Sequence, residues 1–406
     1  MYKEIENSVC APKGFTAAGM HCGLKKNKNK KDLALIYCDK ICTAAGVYTT
    51  NAVKGAPVTV TKENLKNGLA QAVICNSRNA NTCNKDGEEK AKLMCSLIAE
   101  KLNINESDVI VASTGVIGQT LPIEPIKNSC GELVSKLSKT GANDAAQSIM
   151  TTDLFTKEAA VEVALKDNTL VKIGAIAKGS GMIHPNMATM LCFVTTDINI
   201  SSQMLAKALK YASDDTFNML SVDGDTSTND MLTVLASGQA GNNIIEEEND
   251  DYKVFCEALK FVCRKMTVLM AKDGEGATKL VVCKVSGAEN KKIAKCVARA
   301  VISSNLVKTA MFGEDANWGR ILCAIGYGYN EVDVSKIDVL LSSENGKVDV
   351  CQNGYGVEFS EEIAKEVLSS DEIDININLK AGNSYAEAFG CDLTYDYVKI
   401  NGDYRT

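Results

Sequence analysis

The segment Lys178-Gly-Ser-Gly-Met-Ile-His-Pro-Asn-Met-Ala-Thr-Met-Leu-Cys-Phe-Val-Thr-Thr-Asp197 constrains this chain more than any other. Gly179, Gly181, Pro185 and Asn186 mark a turn-rich loop. The apolar run 190–194 that follows reads as a buried strand. Thr189 stands at the junction, preceded by the small Ala188. A chain break between them would give Thr189 a free α-amine beside its own hydroxyl, so that nucleophile and base share one residue. Such an amine has a reference pKa of about 7.7–8.0 and is partly neutral near physiological pH. To make the break, the Thr189 hydroxyl must attack the Ala188 carbonyl, turning amide into ester before water releases the pieces. On composition alone the simpler reading is that Thr189 merely opens a strand, where threonine is favoured.

Helix and strand signals alternate around this segment. Apolar runs at 33–37, 72–75, 109–112, 280–285, 339–341 and 348–350 read as strands, and Ile373, Ile375, Ile377 and Leu379 alternate as another. Helical spacing covers 88–102, with Glu88 and Glu89 in the first turn where the helix dipole favours acids, and recurs over 204–219, 252–270 and 293–301. The strand at 109–112 runs straight into Ser113-Thr-Gly-Val-Ile-Gly118, a turn whose backbone N–H groups are free for ligand chemistry. An oxyanion at a reacting carbonyl needs such donors, and Thr114 with Gly115 is the best candidate pair; the competing reading is a plain turn. Asp223-Gly-Asp-Thr-Ser-Thr-Asn-Asp230 begins like a calcium loop but has Thr228 and Val234 where that loop needs glycine and glutamate. It reads instead as a solvated loop capping a following helix. Short strands interleaved irregularly with helices fit layered sheets of the mixed α/β (α+β) class better than a strict βαβ repeat.

The 16 cysteines include no Cys-x-x-Cys pair, and most sit singly in apolar runs, as do Cys75 and Cys192. They read as free core thiols in a reducing cytosol rather than as metal or disulfide frameworks. A net charge of −7 argues against a nucleic-acid surface. No window reaches the length of a membrane span and residues 1–7 lack an apolar signal core, so a cytoplasmic protein is expected. With only two histidines, His21 and His184, and no Gly-x-Ser-x-Gly elbow, histidine-based chemistry gives way to another base such as an α-amine.

Residues 178–191 resemble the self-cleavage segment of the ornithine acetyltransferase (glutamate N-acetyltransferase) family of arginine biosynthesis. The similarity spans nearly the whole chain. It includes Thr49-Thr-Asn-Ala-Val-Lys-Gly-Ala-Pro-Val58, Asn76-Ser-Arg-Asn-Ala-Asn81, Ser113-Thr-Gly-Val-Ile-Gly118, Met150-Thr-Thr-Asp153 and Asp223-Gly-Asp-Thr-Ser-Thr-Asn-Asp230. It continues through Leu306-Val-Lys-Thr-Ala-Met-Phe-Gly-Glu-Asp-Ala-Asn-Trp-Gly-Arg320 and Leu393-Thr-Tyr-Asp-Tyr-Val-Lys-Ile-Asn-Gly-Asp-Tyr-Arg-Thr406. Two departures stand out. Gly402 replaces an expected alanine, and Arg78 replaces an expected glycine, where a positive φ would strain it.

The resemblance implies a layered α/β/β/α sandwich around an N-terminal-nucleophile threonine, with a smaller C-terminal α/β unit. It implies self-cleavage between Ala188 and Thr189 into fragments 1–188 and 189–406, assembled as two copies of each. Thr189 would be the acyl-accepting nucleophile, and Thr114 and Gly115 the oxyanion hole. Thr152, Lys178, Thr189, Glu275, Asn401 and Thr406 would contact the substrates N-acetylornithine and glutamate, with no metal or organic cofactor. Acetyl-CoA as a second donor would make the enzyme bifunctional; the sequence leaves that open. Two rivals also stay open at this point: an N-terminal-nucleophile aminopeptidase or amidase on the same scaffold, and a non-cleaving, non-catalytic relative.

Overall fold

The computed structural model describes residues 2–184 and 190–402, which fall into two compact units. The first takes in residues 2–179, 190–214 and 226–266; the second takes in 180–184, 215–225 and 267–402. This partition does not follow the implied fragments, since 180–184 separates from the chain before it and 190–214 from much of the chain after it.

The strands of the first unit are β1 (Lys3–Glu4), β2 (Phe15–Met20), β3 (Leu33–Tyr48), β4 (Leu69–Asn76), β5 (Val109–Ser113), β6 (Lys157–Ala164), β7 (Leu170–Lys178) and β8 (Leu191–Thr196). After β9 (Leu220–Ser221), which lies in the second unit, β10 (Met231–Ala236) completes them. They form one sheet in the order β1-β6-β7-β8-β10-β3-β4-β5, with β2 also paired to β3. Its helices are α1 (Ala56–Asn64), α2 (Gly87–Leu102), α3 (Ile123–Ser135), α4 (Ala142–Ile149), α5 (Ser202–Asp214) and the first part of α6 (Asp250–Lys272).

Strand β3 is the device that makes two layers from one sheet. Its first half pairs with β2 and β4 and its second half with β10; the register with β4 breaks between Tyr37 and Cys42, where Asp39, Lys40 and Ile41 are exposed. The sequence pattern sees only the first half, because this polar bend interrupts the apolar run. Period-two alternation then assigns faces. Leu33, Leu35, Ala72, Ile74, Val109 and Val111 pack on Met94, Ile98, Ile126 and Leu133 of α2 and α3. Their alternates Ala34, Ile36, Val73, Cys75, Ile110 and Ala112 share a core with Ile176, Leu191, Phe193, Met231 and Leu235 of the other strand layer, and with α4. On the far side α5 packs on β3, and Cys192 of β8 neighbours Cys263 of α6. The layers therefore run α/β/β/α.

The second unit is built on β11 (Leu280–Ala288), β12 (Asp338–Ser343), β13 (Gly346–Gln352), β14 (Tyr355–Gly356), β15 (Glu372–Asn378) and β16 (Ser384–Cys391), in the order β14-β13-β12-β15-β11-β16-β9. Helices α7 (Lys291–Ser303), α8 (Asn305–Phe312), α9 (Trp318–Gly328), α10 (Glu361–Leu368) and α11 (Tyr395–Gly402) accompany it. α7 packs on β11 and β16, and α10 on β12 and β13. Ile373, Ile375 and Ile377 of β15 are buried as their alternation predicts.

Two expectations need correction. The 223–230 segment precedes strand β10, not a helix, and Thr228, Asn229 and Asp230 are buried rather than solvated. Arg78 does not adopt a positive φ, so no strain attaches to the missing glycine. All sixteen cysteines are free thiols, most of them buried.

Candidate active site

In the first unit, β5 ends in the turn that carries Thr114 and Gly115. Thr114 N–H donates to Asn76 O at 3.0 Å and Val116 N–H to Arg78 O at 3.1 Å, so the turn is pinned on both sides. Gly115 has φ +125°, and a Cβ there would overlap the Arg78 carbonyl and approach Asn79 N at 2.9 Å. Only glycine fits both the conformation and the space. Among the described residues, neither Gly115 N–H nor Thr114 Oγ1 has a hydrogen-bond partner, and both residues are half-buried. Two unspent donors at the end of a pinned turn match what a developing oxyanion requires.

Asn229 ties that turn to the strand pair β8–β10. Its Nδ2 donates to Ser113 O (2.9 Å) and Ala80 O (2.6 Å), while its Oδ1 accepts from Thr82 Oγ1 and Thr228 Oγ1, both at 2.6 Å. Every hydrogen-bonding position of this buried amide is filled, which explains how a polar loop can be interior. Asp230 follows. β10 runs parallel to β8 with Met231 opposite Leu191, and Met231 N–H donates to Met190 O at 2.8 Å. Asp230 directly precedes Met231, and burial raises its carboxyl well above the ordinary carboxylate range. It is 2 % exposed, and its Oδ2 has no hydrogen-bond partner among the described residues.

Lys178 ends β7 and is paired with Leu191 across the sheet. Its side chain is nearly buried, yet its ammonium makes only a long 3.9 Å ion pair with Asp153 among the described residues. Asp153 is more fully engaged: Oδ1 accepts from Lys157 Nζ at 2.7 Å and from Gly179 N–H at 2.8 Å, and Oδ2 from Thr151 N–H at 2.9 Å. Burial pushes this carboxyl up, but Lys178 and Lys157 outweigh it and hold the group well below the ordinary range. Thr152 sits in the same turn, half-buried. Lys25 anchors that turn from outside, donating to Met150 O at 2.8 Å; burial lowers its pKa to about 8. The sequence reading missed Asp153, Lys157 and Lys25, whose spacing gives no hint that they meet.

In the second unit, residues 180–184 are held along their length. Ser180 Oγ donates to Asp273 O at 2.6 Å, and Glu275 N–H donates to Ser180 O at 2.9 Å. The Asp223 carboxylate accepts from Met182 N–H (2.6 Å) and Ile183 N–H (2.8 Å), and Val222 N–H donates to Ile183 O. Arg299 Nη2 donates to His184 Nε2 at 3.1 Å, which leaves Nδ1 to donate to Ser221 Oγ at 3.0 Å. Burial, then the Arg299 charge, lowers the His184 pKa, so the ring is neutral. The Glu275 carboxylate packs against Gly181, where a Cβ would overlap it, and accepts from Asn401 Nδ2 at 2.8 Å. Helix α11 is docked rather than frayed: Thr394 Oγ1 donates to Gly276 O at 2.6 Å, and a Cβ on Gly276 would meet Tyr397 N at 2.6 Å.

The structure therefore brings Glu275 and Asn401 together in one unit, and sets Thr114, Gly115, Thr152 and Lys178 in the other. Ala188, Thr189 and Thr406 lie outside the described residues.

The ArgJ family model matches residues 16–406. The chain is 52% identical over 393 residues to the arginine biosynthesis bifunctional protein ArgJ 1 of Clostridium acetobutylicum, covering 97% of this chain and 96% of that protein. It is 49% identical over 403 residues to the ArgJ bifunctional protein of Caldanaerobacter subterraneus subsp. tengcongensis, covering 99% of each. A crystal structure of argJ from Bacillus halodurans is 46% identical with a TM-score of 0.50, covering 52% of this chain and 97% of its own. With a family match across nearly its whole length and relatives of this closeness, the chain belongs to the ArgJ family.

Proposed function

We propose that this chain is a self-cleaving acetyltransferase of arginine biosynthesis that moves the acetyl group of N-acetylornithine to glutamate. Thr189 attacks the acetyl carbonyl, ornithine leaves, and glutamate then takes the acetyl group from the acetyl-Thr189 ester in a ping-pong exchange. The observation that carries the reading is the bonded frame in which Asn229 Nδ2 holds Ser113 O and Met231 N–H holds Met190 O. It ties the two unspent donors of the Thr114–Gly115 turn to the residue that follows the nucleophile.

Each half of the chemistry then has a physical candidate. Thr114 Oγ1 and Gly115 N–H stabilise the oxyanion of both half-reactions. Lys178, a nearly buried ammonium with no close partner among the described residues, suits the α-carboxylate common to both substrates. Glu275, held by Asn401, suits the side-chain ammonium of ornithine. Thr152 and Thr406 join the substrate contacts on the strength of the family resemblance alone. The same resemblance supports a cytoplasmic assembly with two copies of each fragment. The relatives' description as bifunctional supports acetyl-CoA as a second donor. The solved Bacillus halodurans chain overlaps a little over half of this one, the proportion left to the longer fragment by a break after residue 188.

The test has two readouts. A denaturing gel of purified protein is expected to show fragments of 188 and 218 residues, the lengths on either side of that break, and Thr189→Ala to show one band. With N-acetylornithine and labelled glutamate, label is expected in N-acetylglutamate faster than free acetate forms. An uncleaved wild type that transfers acetyl at full rate would overturn the nucleophile assignment, and acetate as the main product would favour the hydrolase reading.

A further inference from the structure

Two buried ammonium groups in the first unit share one carboxylate. The Asp153 carboxylate offers four lone-pair sites. Lys157 Nζ at 2.7 Å and Gly179 N–H at 2.8 Å fill both on Oδ1, and Thr151 N–H at 2.9 Å fills one on Oδ2. Lys178 Nζ stands off from Oδ2 at 3.9 Å. The register explains how the two lysines meet: Lys157 opens β6 opposite Ala177 of β7, and Lys178 is the next residue along. The Lys157 side chain is 0 % exposed, and Lys178 is nearly buried. Against the upward push of burial, both lysines keep the Asp153 carboxyl ionised. Lys25 and Asp32 set one further charge of each sign beside this cluster and cancel. The cluster Lys157–Asp153–Lys178 therefore carries one positive charge in excess. A buried charge is costly unless paired, so this arrangement is one anion short.

We infer that Lys157 is a positioning residue for substrate binding: by occupying Asp153 it keeps that carboxylate from closing on Lys178, whose ammonium stays available for a carboxylate brought by the substrate. Lys157 has no exposed surface and acts through Asp153. The inference rests on Lys178 as the contact for the substrates' α-carboxylate and adds the residue that holds it open. It makes affinity follow the charge of the cluster. Wild type stands at +1. Without the Lys157 charge the sum is zero, and Lys178 pairs with Asp153 instead of with substrate. Neutralising Lys157 and Asp153 together returns the sum to +1 and frees Lys178 again.

The experiment is steady-state acetyl transfer by the full chain, with N-acetylornithine and glutamate varied in turn. Lys157→Met is expected to raise KM for both substrates at least about 10-fold, the low end for loss of a charged hydrogen bond, with kcat little changed. The double variant Lys157→Met/Asp153→Asn is expected to return KM close to the wild-type value. Replacing both partners of a buried pair by neutral groups is also tolerated better than removing one. A packing role alone predicts the reverse, because a second lesion in the same cluster would add to the first. An unchanged KM in folded Lys157→Met, or a double variant no better than the single, overturns the inference. Lys178→Met separates it from the reading beneath. If KM stays unchanged there, the substrate contact and the inference fall together. If KM rises there but not in Lys157→Met, the inference falls alone. Should Lys157→Met not fold, a crystal structure of wild type with glutamate bound decides. Lys157 on Asp153 with Lys178 on the ligand carboxylate is the expected result. Lys178 closed on Asp153 overturns the inference, and a ligand carboxylate held away from Lys178 overturns the contact with it.

Discussion

Replacing Gly115 with alanine tests the oxyanion turn most directly. An alanine at φ +125° pays for a left-handed backbone, about 1–2 kcal/mol. Its methyl also overlaps the Arg78 carbonyl, a backbone group that cannot rotate away, adding the about 1–3 kcal/mol typical of overpacking. Arg78 O is the acceptor for Val116 N–H, so relief of the overlap must shift the turn that aims Gly115 N–H. Loss of one oxyanion donor costs about 10²–10³ in rate. The variant is therefore expected to lose about 2–5 kcal/mol of stability in urea unfolding, and about 10²–10³ in kcat for acetyl transfer, with KM little changed. Gly141→Ala is the control, since its Cβ would overlap Ala17 O in the core away from this turn. With φ −82° it carries the overlap cost alone, about 1–3 kcal/mol, and is expected to show no loss of kcat in the folded fraction. Equal kcat losses in both variants, or full activity in Gly115→Ala, would refute the oxyanion assignment.

Gly181→Ala pushes on the flexible end of Glu275 rather than on backbone, so it is expected to raise KM for N-acetylornithine several-fold while stability changes by less than about 1 kcal/mol. Asp153→Asn removes a carboxylate whose folded pKa is depressed. The stability it contributes is present above the unfolded value near 3.9 and disappears as pH falls through the folded value. Urea titrations of wild type and variant are expected to differ by about 3 kcal/mol or more at pH 7 and to converge in strong acid; a constant gap would refute the pairing. Asp223→Ala strips the acceptor from Met182 and Ile183 N–H, and is expected to cost about 2–4 kcal/mol in urea unfolding and to slow the appearance of the two fragments.

Much of the frame was legible in residue order. The Ser113–Gly118 turn lies where a strand signal runs into glycine, and the strand after residue 190 is as apolar as its burial requires. The helix at 88–102 and the alternating isoleucines of β15 also declare themselves through period alone. What stayed hidden is polar and interior. Thr228, Asn229 and Asp230 have the composition of a surface loop, and only their partners Thr82 and Ser113, far away in sequence, make them buried. Lys157 and Asp153 stand only four residues apart, but that spacing is as common on solvated faces and does not by itself announce a fully buried ion pair. The second half of β3 escaped because three exposed residues at its bend break the run that would have announced it.

Strands β8 and β10 come from the C-terminal side of residue 188, yet they lie between β7 and β3, which come from its N-terminal side. A cut at that point severs the chain but not the fabric. The later piece supplies the middle of a sheet whose margins belong to the earlier one, and pulling them apart would unzip two ladders at once. Each earlier piece should therefore stay for life with the later piece it was born with. When isotopically heavy and light preparations are mixed, whole pairs could trade places in a larger assembly, but hybrids of heavy and light pieces within one pair should not appear.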